Sequence, residues 1–257
     1  MGPTESRSNR GQSGNASLGS MMSSMTEHLI SVGDMPPWKR RLTLPAYQVQ
    51  EAARYAQITS QTIRNWQGRG NGDKSAVAHR EKGNALSYFQ LVEVAFVAVM
   101  RRMGLKLNVI KDAREYIGQN LQSEFPFVEN RFKVQGARIL MHLRQFDPAA
   151  SNNKLIVVSH GGQLEWGAML GKKFEEFDYQ KGLAVRWHIA GRGSPILIDP
   201  QIAFGAPQIR GVPTWAIRGR QEAGESIVDI ADDFSLKIAE VKKALEFENE
   251  ISDVANE

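Results

Sequence analysis

Gln61, Thr62, Arg64 and Asn65 fall within five consecutive positions, directly after Ser60. Arginine bonds guanine edges or phosphates, and Gln or Asn bonds adenine edges through two hydrogen bonds, so this set on one helix face suits a DNA groove. The competing reading is the solvated outer face of a small helical domain, because motifs this short are weakly specific. Just beyond lie Arg69, Lys74, Arg80 and Lys82, interleaved with Gly68, Gly70, Gly72 and Gly83. That composition reads as a mobile loop or wing that cannot build a core. Its cations would hold phosphates, adding affinity without sequence discrimination, or would simply be solvated.

Farther along, Val241, Leu245 and Phe247 recur at helical spacing. Such a stripe is either a docking surface or, more commonly, part of the chain's own core. His142, His160 and His188 fall in a strand-patterned region with Glu165 near by, where converging strands would gather a metal or acid–base cluster. No His-x-Glu, His-Glu-x-x-His or Gly-x-Ser-x-Gly spacing accompanies them. We therefore expect no enzyme, no cofactor and no metal site.

The elements that must position these residues follow from periodicity. Val49, Ala52, Ala53 and Ala56 form one short helical stripe, Ile63 and Trp66 a second, and Thr59 or Ser60 can cap the second helix. Two short helices joined by a tight turn make a helix-turn-helix. Leu86–Met103 is apolar nearly all round, so as a helix it must be buried on more than one side, by its own domain or by a second subunit. After Gly104, Asn108 can cap a helix whose apolar face is Val109, Ala113, Ile117 and Leu121. From Phe125 the period becomes two, with strands expected at Phe132–Val134, Ile139–Leu143, Leu155–Val158 and around Val185, Trp187 and Ile189. Asp199-Pro200 marks a turn. Helices are then expected over Thr214–Arg220, Ser226–Asp232 and Lys237–Phe247, a second unit with helix-turn-helix spacing.

Composition narrows the classes of function. The chain has 257 residues and no cysteine, which excludes disulfides, thiolate metal sites and thiol nucleophiles and fits a cytoplasmic setting. The first two dozen residues lack the apolar stretch of a signal peptide and read as a disordered tail. Leu91–Met100 is too short to span a bilayer and is interrupted by Glu93, so no membrane partner is expected. A net charge of +4 conceals a division: residues 41–118 carry 12 Lys/Arg against 6 Asp/Glu, whereas residues 199–257 carry 6 against 12. The front of the chain suits a polyanion, and the tail suits a protein.

Val49-x-Glu51-x-Ala53, Ile58-Thr59, Thr62-Ile63-Arg64 and Trp66 resemble a MerR-type DNA-binding head. Ile198-Asp199-Pro200-Gln201-Ile202-Ala203-Phe204-Gly205-Ala206-Pro207, Ile209-Arg210-Gly211 and Ala223-Gly224-Glu225-Ser226-Ile227 resemble the C-terminal module of VapB-like antitoxins paired with PIN-like ribonuclease toxins. The resemblance implies an antitoxin that neutralises its toxin and represses its own operon by binding operator DNA. On that footing Arg210, Arg218 and Arg220 would meet the toxin's metal-holding carboxylates, or else fix nearby acids such as Asp199. Where such heads usually carry glycine in the first turn, this chain has Gln57, which must avoid the left-handed conformation or sit there under strain. Lys237 stands where a capping Ser is usual.

The resulting expectation is an α+β protein. It has a tail and linker (residues 1–40), a winged helix-turn-helix head (41–118), a small antiparallel β middle region (119–198) and a three-helix C-terminal module (199–257), assembled as a dimer through its long apolar helix. The alternative is an effector-responsive MerR-like regulator whose middle region holds a small ligand and which has no toxin.

Overall fold

The computed structural model describes residues 2, 36–67, 74–80, 83, 85–129, 132 and 170–253. The chain divides into two compact units, Met1–Arg40 and Arg41–Glu257. The first is described at Gly2 and residues 36–40, where helix α1 (Pro37–Thr43) begins. Everything below concerns the second, an α+β arrangement with a five-stranded antiparallel sheet.

Its head opens with β1 (Pro45–Tyr47), α2 (Val49–Ala56) and α3 (Ser60–Trp66). Strand β2 (Leu86–Ser87) pairs antiparallel with β1 and leads into α4 (Tyr88–Arg102). Ser87 and Gln90 cap α4 reciprocally, each side chain bonding the other's backbone N–H. Every residue of α4 from Tyr88 to Met100 is buried, packed against α2, α5 (Leu107–Leu121) and a 3-10 turn at Pro126–Val128. The chain itself therefore covers the apolar helix on all sides. A second subunit is not needed for that, and the dimerisation role expected of α4 loses its basis. Helix α5 starts after Lys106, which takes the cap position two residues before the expected Asn108, so Asn108 lies inside the helix. Its buried face is Ile110, Ala113, Ile117 and Leu121, with Val109 only half-buried.

The sheet runs β3 (Phe177–Gln180), β4 (Leu183–Trp187), β5 (Leu197–Ile198), β6 (Pro207–Ile209), β7 (Val212–Pro213), each antiparallel to the next. Lys181 and Gly182 both take positive φ in the β3–β4 turn, as a two-residue hairpin connection of matching twist requires. Of the strands expected from the sequence, that around Val185 and Trp187 is present as β4. Phe132 is helical, and 133–134, 139–143 and 155–158 lie outside the described residues. Between α4 and the hairpin, Phe96 packs on Phe132, Phe174 and Phe177, and Phe177 stacks on Trp187 at 5.6 Å.

The Asp199-Pro200 turn forms as expected: the Asp199 carboxylate accepts from Gln201 N–H at 2.9 Å and pairs with Arg186 Nε at 2.6 Å. Helices α6 (Thr214–Glu222), α7 (Ile227–Asp233) and α8 (Ile238–Asp253) follow, packed on one another. Ser226 caps α7. At the head of α8 the missing serine is partly replaced, because Glu240 Oε2 accepts from Lys237 N–H at 2.8 Å. Helix α8 also touches α2, and the 3-10 turn at Ala203–Gly205 touches β1, so the C-terminal helices and the head are packed directly together.

Candidate nucleic-acid interface

Helix α2 ends because Gln57 turns left-handed, with φ 55° and ψ 52°, and its N–H and that of Ile58 close onto the last carbonyls of the helix. Thr59 then caps α3, its hydroxyl accepting from Thr62 N–H at 3.2 Å. Ile63 and Trp66 are buried beneath α3, which fixes its roll about its own axis. Gln61, Arg64 and Asn65 consequently face solvent, while Ser60 and Thr62 are half-buried. Gln61 Nε2 donates to Asn65 Oδ1 at 3.0 Å across one turn, holding both amides in register. Among the described residues no carboxylate pairs with Arg64.

A left-handed glutamine is a strained choice, since a non-Gly residue there costs about 1–2 kcal/mol and glycine's greater freedom when unfolded returns part of that. Gln57→Gly is therefore expected to raise stability by up to about 1 kcal/mol, read as a higher urea midpoint with unchanged slope.

The basic loop behaves differently from its sequence. Ala76, Val77 and Ala78 are buried, and the segment is stitched down by Ala76 N–H to Trp66 O at 2.8 Å and Ala78 N–H to Glu93 Oε2 at 2.6 Å. Gln90 Nε2 adds a bond to His79 O at 2.7 Å. Residues 76–78 thus belong to the core, a correction to the reading of 68–85 as a coreless loop: the three small apolar residues are shielded by α4 once the chain returns to it. Lys74 is held by Asp112 at 2.6 Å and Glu115 at 3.0 Å, which turns it toward α5 and neutralises it as a phosphate contact. Arg80 donates to Gln67 Oε1 at 2.9 Å; burial lowers its pKa, and the neighbouring charge of Arg64 lowers it further. The Arg64 and Arg80 guanidinium groups thus lie close to each other beside α3. Arg69 and Lys82 lie outside the described residues.

At the other end of the chain the expected partner-binding side chains are engaged internally. Arg210 pairs with Glu240 at 3.3 Å; Arg218 pairs with Glu222 at 2.7 Å and bonds Glu248 O at 3.2 Å; Arg220 pairs with Glu225 and with Asp233. Asp199 is fixed by Arg186 instead of any of these three. Val241 and Phe247 are buried and Leu245 is half-buried, so this stripe serves the chain's own core and corrects the docking reading. Glu248 is buried as well, accepting from the Thr214 hydroxyl at 2.5 Å. The exposed large apolar residues here are others, Ile202, Val228 and Ile238 among them, with Phe204 at 97% and Trp215 at 62% the most exposed. Ala203 and Phe204, in the turn that carries the exposed ring, both have left-handed backbones. Sequence alone marked Phe204-Gly205 as a motif but carried no signal of its exposure.

His188 bonds Asp178 Oδ2 at 3.1 Å, and Arg192 pairs with the same carboxylate. His142, His160 and Glu165 lie outside the described residues. No group of three metal-ligating side chains occurs among the described residues. No helix among them is long and apolar enough to cross a membrane.

With this geometry in place, comparison with known proteins adds two findings. Residues 196–247, from β5 to within α8, match a family model described as a protein of unknown function, DUF433. The crystal structure of Rv2018 from Mycobacterium tuberculosis superposes with a TM-score of 0.63 at 17% identity, covering 80% of this chain and 99% of that one. The two share a fold. The matched segment contains β5–β7, the left-handed Phe204 turn, α6, α7 and the first part of α8. No curated protein matches the chain.

Proposed function

We propose that the chain is a DNA-binding regulator that inserts α3 into the major groove of its own operator and acts as the antitoxin to a PIN-like ribonuclease. The observation that carries the first half is the orientation of α3. Ile63 and Trp66 anchor it from beneath, so Gln61, Arg64 and Asn65 point outward, and among the described residues no carboxylate pairs with the Arg64 guanidinium. On this reading the segment at 74–80, pinned to α4 through Ala78 N–H and Glu93, serves as the base of a wing beside α3. The antitoxin half rests on the resemblance of the C-terminal motifs. Because Arg210, Arg218 and Arg220 are engaged by acids of this chain, our reading takes Phe204 and Trp215, the two most exposed large apolar side chains of that module, as the toxin-facing surface.

Affinity for the gene's upstream DNA, measured against salt, should fall steeply on a log–log plot, as release of phosphate counterions requires. Arg64→Ala is expected to weaken binding by about 1–3 kcal/mol if the guanidinium reads a base. Equal affinity in Arg64→Ala would remove α3 as the reading helix. For the partner, co-expression with the product of the adjacent gene should give a complex that Phe204→Ser disrupts while DNA binding by the isolated chain persists. An adjacent gene without such a product would leave the effector-responsive regulator as the better reading.

A further inference from the structure

Behind the turn that joins α2 to α3 lies a cavity of about 220 Å³, walled by Tyr55 and Gln57, by Arg102 of α4, by Lys173 and Glu176, and by Trp187 of β4. At ~30 Å³ per water it holds the equivalent of about seven water molecules, the size of a small metabolite. Among the described lining residues the charges do not balance. Lys173 is 8% exposed, with its ammonium 2.6 Å from Glu176 Oε2 and 4.6 Å from the centre of the Trp187 ring. The same Glu176 oxygen also accepts the Trp187 indole N–H at 2.9 Å. Arg102 spends one nitrogen on the carbonyl of Ala56 at 3.3 Å, the final residue of α2. Two cations thus share one carboxylate among the lining residues. Burial lowers the pKa of both, as it does for positive charges removed from water without full compensation.

We propose that this cavity binds a small hydrophilic oxyanion, bearing one carboxylate or one phosphate group, between Arg102 and Lys173, and that its occupancy is transmitted to the α2–α3 turn. An oxyanion fits because it supplies the missing negative charge and accepts the unused donors of a guanidinium and an ammonium. Transmission follows from position: Arg102 holds the last carbonyl of α2, one residue before the left-handed Gln57, so an anion that competes for the guanidinium acts on the joint that sets α3. Anion binding stands independently of the DNA reading; the transmission rests on it.

The test is a titration of ¹⁵N-tryptophan-labelled full chain with sodium glycolate and, separately, with inorganic phosphate, at constant ionic strength set by sodium chloride. The Trp187 indole signal is identified by its loss in Trp187→Phe. A saturable shift of that signal is expected with at least one of the two anions, and which of them acts assigns the head group. In Arg102→Gln, which removes the charge while keeping a polar side chain of similar reach at a residue exposed overall, the dissociation constant should rise about tenfold or more. No saturable shift with either anion, or equal affinity in Arg102→Gln, overturns the proposal. The active anion at saturation should also change the affinity of the wild type for its upstream DNA and leave that of Arg102→Gln unchanged. An indole shift with no change in DNA affinity keeps the cavity and refutes the transmission, whereas a chain that binds no DNA under any condition refutes the α3 reading alone.

Discussion

Gly205→Ala should destabilise the folded chain by about 2–4 kcal/mol, through two costs that can be separated. Gly205 has φ +80°, a conformation that a Cβ disfavours by about 1 kcal/mol. In addition, a Cβ built there would lie 2.2 Å from Tyr47 Oη and 2.9 Å from its Cζ, and displacing a ring that is only 3% exposed costs a further ~1–3 kcal/mol. Tyr47 cannot swing away cheaply, because it lies against Tyr88 with ring centres 6.5 Å apart and both rings are buried. The Tyr47 hydroxyl has no hydrogen-bond partner among the described residues, so Tyr47→Phe alone should be close to neutral. Combined with Gly205→Ala, it should recover about 1 kcal/mol of the loss and leave the backbone cost in place. Urea unfolding of the two single variants and the double variant measures this. Strict additivity would show that the close approach of β1 to the 203–205 turn is not what the glycine serves. The contact joins the proposed DNA-binding head to the motif-bearing C-terminal module, so its loss should weaken both.

Between about pH 4.5 and pH 7 the stability of the chain should fall as pH rises, with Glu93 responsible. Its side chain is fully buried on α4, where burial raises its pKa from 4.5 to about 7, against the opposing pull of Arg114 at 3.1 Å and the Ala78 N–H. Unfolded, the carboxyl releases its proton near 4.5; folded, it keeps it until about 7. Within that interval the folded state binds the extra proton, so raising the pH favours unfolding, and above it the effect levels off. The full span corresponds to about 3 kcal/mol. Glu93→Gln should abolish this slope while retaining an oxygen acceptor for Ala78. The check is the free energy of unfolding at a series of pH values in both proteins. A slope that survives in Glu93→Gln assigns the effect to another group. Because Glu93 fastens the 76–78 segment, the same titration should alter protection of the Ala78 amide against hydrogen exchange.

Truncation has to be considered with the same packing in mind. Removing the chain beyond Ala223 would strip α8 from the part of α2 that it touches and leave α6 without the helices packed on it. Point substitutions such as Phe204→Ser therefore separate the two proposed activities more cleanly than deletion does.

Several elements were legible in the residues alone, and each is governed by local rules. The α2–α3 pair follows from an apolar stripe, a threonine cap and a buried tryptophan within one short stretch, and the Asp199-Pro200 turn, β4 and the three closing helices are encoded over comparably short spans. Even the strain at Gln57 was foreseeable, because a turn that usually takes glycine leaves the substituted residue few conformations. What each charged or apolar side chain meets depends instead on residues far away in the chain. Lys74 was a plausible phosphate contact until α5 supplied Asp112 and Glu115. Arg210 was a plausible partner contact until α8 brought Glu240, and Val241 and Phe247 a plausible docking stripe until α6 and α7 covered that face. Ala76–Ala78 read as an exposed loop until Glu93 and Gln90 of α4 bonded it. Periodicity and capping act over three or four residues, so sequence determines which face of a helix is apolar. Ion pairing and burial act across tens of residues, so only the tertiary structure decided which cations are held by carboxylates of the chain, which phenyl ring stays in water and where two cations share a single carboxylate.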